Sequence, residues 1–195
     1  MAVARLMNVR LIFPKMWTPN DKGKYLCGIL IPLNSPAYGA LMAAIKEAWA
    51  DGRQKHGGKA FCENPTLAQV YNRAYIKAEG MLDSQGNVAP SYYAGCIGFT
   101  ANAHKAVPVI DVTGALVPEG DNRVYDGVLA NVSLDISPVN KANNPCIGRY
   151  LRSVMILNGG DRIDTGSGGS VSAQDEWADI IQPGGTDAFG EVAPF

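Results

Sequence analysis

Histidine is scarce in this sequence: His56 and His104 are the only two among 195 residues. Nucleophilic catalysis by serine or cysteine needs an oriented base, and neither histidine, one in a Gly-rich turn and one near a strand end, has an identifiable partner. The four cysteines, Cys27, Cys62, Cys96 and Cys146, form no CxxC pair. With the histidines they supply no close pair of ligands, so no zinc site is expected. Scattered cysteines without a leader peptide point to reduced thiols in a cytosolic protein. No apolar run approaches the roughly 20 residues that span a bilayer, so no membrane segment is expected. The stretch Gly52 to Lys59 imitates a phosphate loop but has Arg53 where glycine is required and Ala60 in place of the hydroxyl. Asp111, Asp121 and Asp126 sit among turn residues, where aspartate serves local hydrogen bonding. The chain reads as a non-enzyme with no catalytic residue, no metal and no cofactor.

Positive charge is also missing from one end, since no lysine or arginine follows Arg162. Residues 1–163 carry seventeen basic and twelve acidic side chains, a balance of +5. Residues 164–195 carry six acids, Asp164, Asp175, Glu176, Asp179, Asp187 and Glu191, and no base. The overall charge of -1 therefore hides a basic body and an acidic end, the asymmetry of an interaction tail. Residues 164–195 are poor in large apolar side chains and rich in Gly and Ser, so they are expected to be a disordered acidic tail behind a folded domain of residues 1–163.

The body reads mainly as β-structure. Met7, Val9, Leu11 and Phe13 alternate with Asn8 and Arg10, predicting a half-buried strand, and Tyr25 to Ile31 predicts a strand buried on both faces after the turn Thr18 to Gly23. Ser35 before Pro36 marks a helix start. Tyr38, Leu41, Met42, Ile45 and Trp49 then fall on one helical face that should end near Gln54, with Gly57 and Gly58 as the stop. Gly95 to Ala103, Val107 to Val112, the long alternation Val128 to Ile136, and Ile147 to Leu157 predict further strands, with turns at Pro118 to Asn122 and Asn140 to Pro145. The fold class is mainly β: an OB-fold-like, five- to six-stranded Greek-key barrel with one inserted α-helix.

The chemistry lies in mixed aromatic and basic groups. If Tyr71 to Lys77 is extended, Tyr71, Arg73, Tyr75 and Lys77 share one face and Ala74 and Ile76 the other. Aromatic rings stack on any base and interleaved cations follow phosphates, giving affinity without sequence choice. The mixture recurs in Lys15, Trp17, Lys22 and Lys24, in Tyr92 and Tyr93 with His104 and Lys105, and in Tyr150 with Arg152 on one strand face. In the tail, Asp175, Glu176, Trp177, Asp179 and the terminal Phe195 set acids beside aromatics that the segment cannot bury, the form of a docking peptide for a partner pocket.

Taken together the chain resembles the bacteriophage single-stranded DNA-binding proteins built on an OB fold. The resemblance runs through Phe13-Pro14-Lys15, Trp17-Thr18-Pro19, Lys24-Tyr25 and Ile31-Pro32. It continues through Tyr93-Ala94-Gly95-Cys96, Ala101-Asn102-Ala103, Pro108-Val109-Ile110-Asp111, Val124-Tyr125-Asp126-Gly127, Gly148-Arg149-Tyr150-Leu151 and Asn158-Gly159-Gly160-Asp161. It implies a protein of the infected host's cytoplasm that coats transiently exposed single strands in phage replication or recombination, with Arg149 joining the candidate contacts. It further implies that the acidic tail contacts replication or recombination proteins. The opposite charges of body and tail predict that the tail competes with DNA. A homodimer is compatible with this reading, and the competing reading is a protein-interaction or virion structural module.

Overall fold

The structure, a computed structural model, describes residues 2–57, 60–63, 65, 76–78, 90–141 and 144–165. The chain divides into two units, Met1–Ile163 and Asp164–Phe195. The expected tail lies, beyond Thr165, outside the described residues.

The first strand, β1 (Ala2–Lys15), is long because its inward set changes frame twice. Ala2, Ala4 and Leu6 are buried, then Val9 and Leu11, then Met16 just beyond the strand. The shifts fall between Leu6 and Val9 and between Ile12 and Lys15, where Asn8 and Phe13 adopt φ of 55° and 49°. An inserted residue in the left-handed region bends a strand and reverses the faces that follow it. This corrects the simple alternation expected from sequence: Met7 and Phe13 do not share the inner face of Val9 and Leu11 but are 56% and 38% exposed. Side-chain oxygens secure both bulges, Asn131 Oδ1 accepting from the Asn8 N–H at 2.9 Å and Asp126 Oδ1 from the Phe13 N–H at 2.6 Å.

The second strand, β2 (Tyr25–Pro32), is buried from Cys27 through Ile31, as its continuous apolar run predicts. The helix α1 (Pro36–His56) follows. The Ser35 hydroxyl accepts from the Tyr38 N–H, Pro36 occupies the first turn, and Gly57 stops the helix at φ 79°. Leu41, Ile45 and Trp49 are buried in the main core, with Tyr38 and Met42 half-buried at its margins. Truncating a fully buried side chain such as Leu41 to alanine would cost about 2–5 kcal/mol. Gly52 lets the helix approach closely, because a Cβ there would lie 2.7 Å from Phe61 and 2.8 Å from Pro138.

The remaining strands among the described residues are β3 (Ile76–Ala78), β4 (Cys96–Ala103), β5 (Val109–Asp111), β6 (Leu129–Lys141) and β7 (Asn144–Ile156). A 3-10 turn, Ser91–Tyr93, precedes β4. The sheet order is β3-β4-β2-β1-β6-β7-β5, and a further parallel pairing of β4 with β7 at Asn102 and Tyr150 closes it. Five strands, β1, β2, β4, β6 and β7, therefore form a closed barrel with the short β3 and β5 alongside. Closure removes the exposed edges that an open sheet would offer to other chains. The alternation in β6 is the cleanest: Ala130, Val132, Leu134 and Ile136 point into the barrel, leaving Asn131, Ser133 and Asp135 outside.

Candidate nucleic-acid interface

Cross-strand pairing decides which side chains share the outer surface, because directly opposed residues lie on one face. On β2 and β4 the outward pairs are Leu26 with Asn102, Gly28 with Thr100, and Leu30 with Gly98. On β1, Lys15 stands opposite Leu26 and Ile12 opposite Gly28. The lower part of this face is capped from outside by Tyr93, buried to 6% against Ile12 and Leu30. A Cβ on Gly98 would come within 2.3 Å of the Tyr93 ring, so glycine is what admits it. Burial pushes the phenol of Tyr93, and to a lesser degree that of Tyr92, above the ordinary tyrosine range. The Tyr93 ring is thus packed against the barrel wall, while Tyr92, 4.7 Å away between ring centroids, remains half-buried at the rim.

The upper part of the face carries Asn102 and Tyr150, both half-buried. Asn102 pairs with Tyr150 across the parallel junction, and Tyr150 in turn stands opposite Asp135 of β6. Arg152 occupies the bulge that shifts register between Ser133 and Leu134, and its guanidinium donates to Asp135 Oδ1 at 3.1 Å. At the same end, Tyr25 opens β2 opposite Ala103, which ends β4, so Lys24 and Lys105 flank the pair along the chain. Lys15 and Lys105 are exposed and Lys24 half-buried. Asn20 shapes the loop between β1 and β2, its side-chain oxygen accepting the backbone N–H groups of Lys22 and Lys24 at 3.0 Å each. Among the described residues, Lys15, Lys22, Lys24 and Lys105 make no ion pair.

Two other candidates are packed into the fold. Trp17 donates its indole N–H to the Val117 carbonyl at 3.1 Å and packs half-buried against the core. Arg149 is buried, opposite the inward Ile136, with its guanidinium 5.3 Å from the centroid of Phe99. Tyr71, Arg73 and Tyr75 lie outside the described residues, as do the tail positions Asp175, Glu176, Trp177, Asp179 and Phe195. Lys77 is in β3, in register with the outward Gly98, and Ile76 with the inward Phe99. Asn102 and Thr100 are outward polar residues that the aromatic-basic pattern does not mark. Their signal is the polar alternation of Thr100-Ala101-Asn102-Ala103.

Among the described residues no cluster of three His, Cys, Asp or Glu is placed to hold a metal ion. Burial drives the Cys27 thiol far above its ordinary range, which leaves it inert.

A five-stranded barrel of this connectivity, closed by a parallel pairing and bearing basic loops at one end, defines an OB-fold protein, a class that binds oligonucleotides and oligosaccharides on its barrel face and flanking loops. The family model described as Enterobacter phage Enc34, ssDNA-binding protein, matches residues 3–186, and the chain belongs to that family. Its structure is similar to the single-stranded DNA-binding protein from bacteriophage Enc34 in complex with ssDNA, with a TM-score of 0.61 and 18% identity over 83% of this chain and 89% of that one. It is also similar to a C-terminal truncation of that Enc34 protein, with a TM-score of 0.63 and 17% identity over 83% and 89% of the two chains. For gp2.5, a single-stranded DNA binding protein encoded by bacteriophage T7, the values are 0.52 and 16% over 95% and 98%. At these identities the likeness speaks for the shared fold. No curated protein matches the chain by sequence.

Proposed function

We propose that the protein coats single-stranded DNA without base preference during phage DNA replication or recombination in the host cytoplasm. The strand lies along the outside of β2 and β4 and is held at the end where Lys15, Lys22, Lys24 and Lys105 gather. The observation that carries this reading is that those lysines make no ion pair among the described residues and lie at the end of the barrel where Asn102 pairs with Tyr150. Cations without acidic partners are available to phosphates, and a half-buried tyrosine offers a ring edge or face to any base. Tyr71, Arg73, Tyr75, Lys77, Tyr92 and Arg152 extend the proposed contact set. The tail, with six acids and no base, competes for the same cations and recruits replication or recombination proteins through Trp177 and Phe195.

Titration with poly-dT tests the reading, since Trp17 sits in the proposed DNA-binding loop. Indole fluorescence should change on binding, and the affinity should fall linearly with the logarithm of salt concentration. A flat titration at low salt would remove DNA binding. Replacing the six tail acids by their amides in the full chain should tighten binding at low salt, and unchanged affinity would remove the competition alone.

A further inference from the structure

A second surface lies on the opposite flank of the Asn102–Tyr150 junction, outside β1, β6, β7 and β5. Register aligns its rows: Val3, Asp135 and Tyr150; Arg5, Ser133 and Ser153; Asn131 and Met155. The face is concave, a hollow of about 950 Å³ lined among others by Val3, Arg5, Met7, Ser133, Arg152 and Met155. Val3 and Met7 are 49% and 56% exposed, and Arg5 is exposed and makes no ion pair among the described residues.

We infer that this hollow is a second contact surface for the same single strand, whose phosphodiester backbone passes from the Asn102–Tyr150 junction over the outside of β7 and β6 to Arg5. The inference rests on the DNA-binding reading above and deepens it. Three observations support it. The surface is continuous with the proposed interface, because Tyr150 belongs to both rows of pairing. Its two cations outnumber its one acid: Asp135 holds Arg152 at 3.1 Å, with the two side chains 26% and 48% exposed, and an exposed pair of this kind holds so little free energy that the guanidinium can turn to a phosphate. Arg5, two strand spacings from Ser153 and so on the order of 10 Å from it, is left to meet another phosphate. Finally, serine hydroxyls at 133 and 153 can donate to phosphate oxygens, while Met7 and Met155 give unbranched, polarisable side chains that adapt to whichever base lies over them. This matches a binder without sequence choice.

The test is Arg5→Ala in the full chain, with binding measured to oligothymidylates of about 4 and about 16 nucleotides, the range covered by single OB folds. The long oligomer should bind roughly three- to tenfold more weakly at low salt, with the log–log salt slope reduced by about 0.7, the value of one phosphate contact on a single strand. The short oligomer should bind as before, and Arg5→Lys should restore the long-oligomer affinity. Equal affinity and slope for the long oligomer in wild type and Arg5→Ala would overturn the inference. So would an unchanged affinity accompanied by a fall in sedimentation coefficient for Arg5→Ala or Met7→Ser, which would assign the hollow to a protein partner. Wild type that binds neither oligomer would instead overturn the DNA-binding reading on which the inference stands.

Discussion

Two neighbouring loops handle charge in opposite ways. At the turn from β1 to β2, Lys15, Lys22 and Lys24 make no ion pair among the described residues, and backbone bonds to Asn20 hold the turn. Between β5 and β6, Arg123 is gripped by two aspartates, with Asp111 Oδ2 at 3.1 Å and Asp121 Oδ2 at 2.8 Å. Asp111 also accepts from the Thr113 hydroxyl and from the N–H groups of Thr113 and Ala115. One loop uses its cation to fix itself; the other leaves its cations without an ion pair among the described residues. The two are joined, since Trp17 donates to the Val117 carbonyl and the Thr18 hydroxyl to Glu119 at 2.7 Å. The internally neutralised loop is therefore a prop for the basic one.

The largest effect should come from breaking the basic side. Replacing Lys15, Lys22 and Lys24 by alanine should reduce the log–log salt slope by about 2 and weaken single-strand binding roughly 100-fold near 0.1 M salt, if each lysine meets one phosphate. Stability should change little, because these side chains are exposed or, for Lys24, half-buried and make no ion pair among the described residues. Affinity and melting measured on the same preparation separate the two effects. A fall in the melting midpoint matching that of a core mutant would mean that the lysines hold the fold.

A smaller effect tests the prop. Asp111→Ala removes the acceptor of four hydrogen bonds without touching any proposed DNA contact. The melting midpoint should drop by a few degrees. Binding should weaken only a few-fold with its salt slope unchanged, because ordering the basic loop becomes costlier while the number of phosphate contacts stays the same. A changed slope would show that Arg123, once released, itself reaches the DNA, and the contrast between the loops would then be one of occupancy rather than design.

How far this contrast was legible in the sequence follows from what each signal depends on. The helix with its Ser35 cap, the buried run of β2 and the alternation of β6 depend on local periodicity, and the chain states them plainly. The faces of β1 do not. Asn8 and Phe13 take left-handed backbone angles because Asn131 and Asp126, more than 100 residues away, supply acceptors, and no pattern in Met7 to Phe13 announces this. The aromatic-basic groups were visible as types but not as roles. Tyr92 and Tyr93 are indistinguishable in the sequence, yet only Tyr93 finds the gap over Gly98. Tyr150 and Arg149 differ by one position, which on a strand sends one outward and the other beneath the sheet. No aromatic stands near Arg5 in sequence, so the aromatic-basic pattern does not mark it; its neighbours on the barrel come from β6 and β7.

The smallest effect is confined to acid and isolates the charge that fixes the second loop. The Thr113 hydroxyl, then the Arg123 guanidinium, and then the Thr113 and Ala115 N–H groups bring the Asp111 carboxyl down to about 2. Arg123 lowers that of Asp121 as well. An unfolded aspartate titrates near 3.9. A carboxyl whose folded value is depressed contributes stability that is complete above the unfolded value and is lost as pH falls through the folded one. Melting midpoints of wild type and Asp111→Asn should therefore differ by a constant amount from neutral pH down to about 4, and the gap should narrow between about 4 and 2 as both loops come to hold a neutral side chain at position 111. A gap that persists unchanged to pH 2 would mean that hydrogen-bond geometry, and not the carboxylate charge, secures Arg123. The electrostatic half of the contrast between the two loops would then fall.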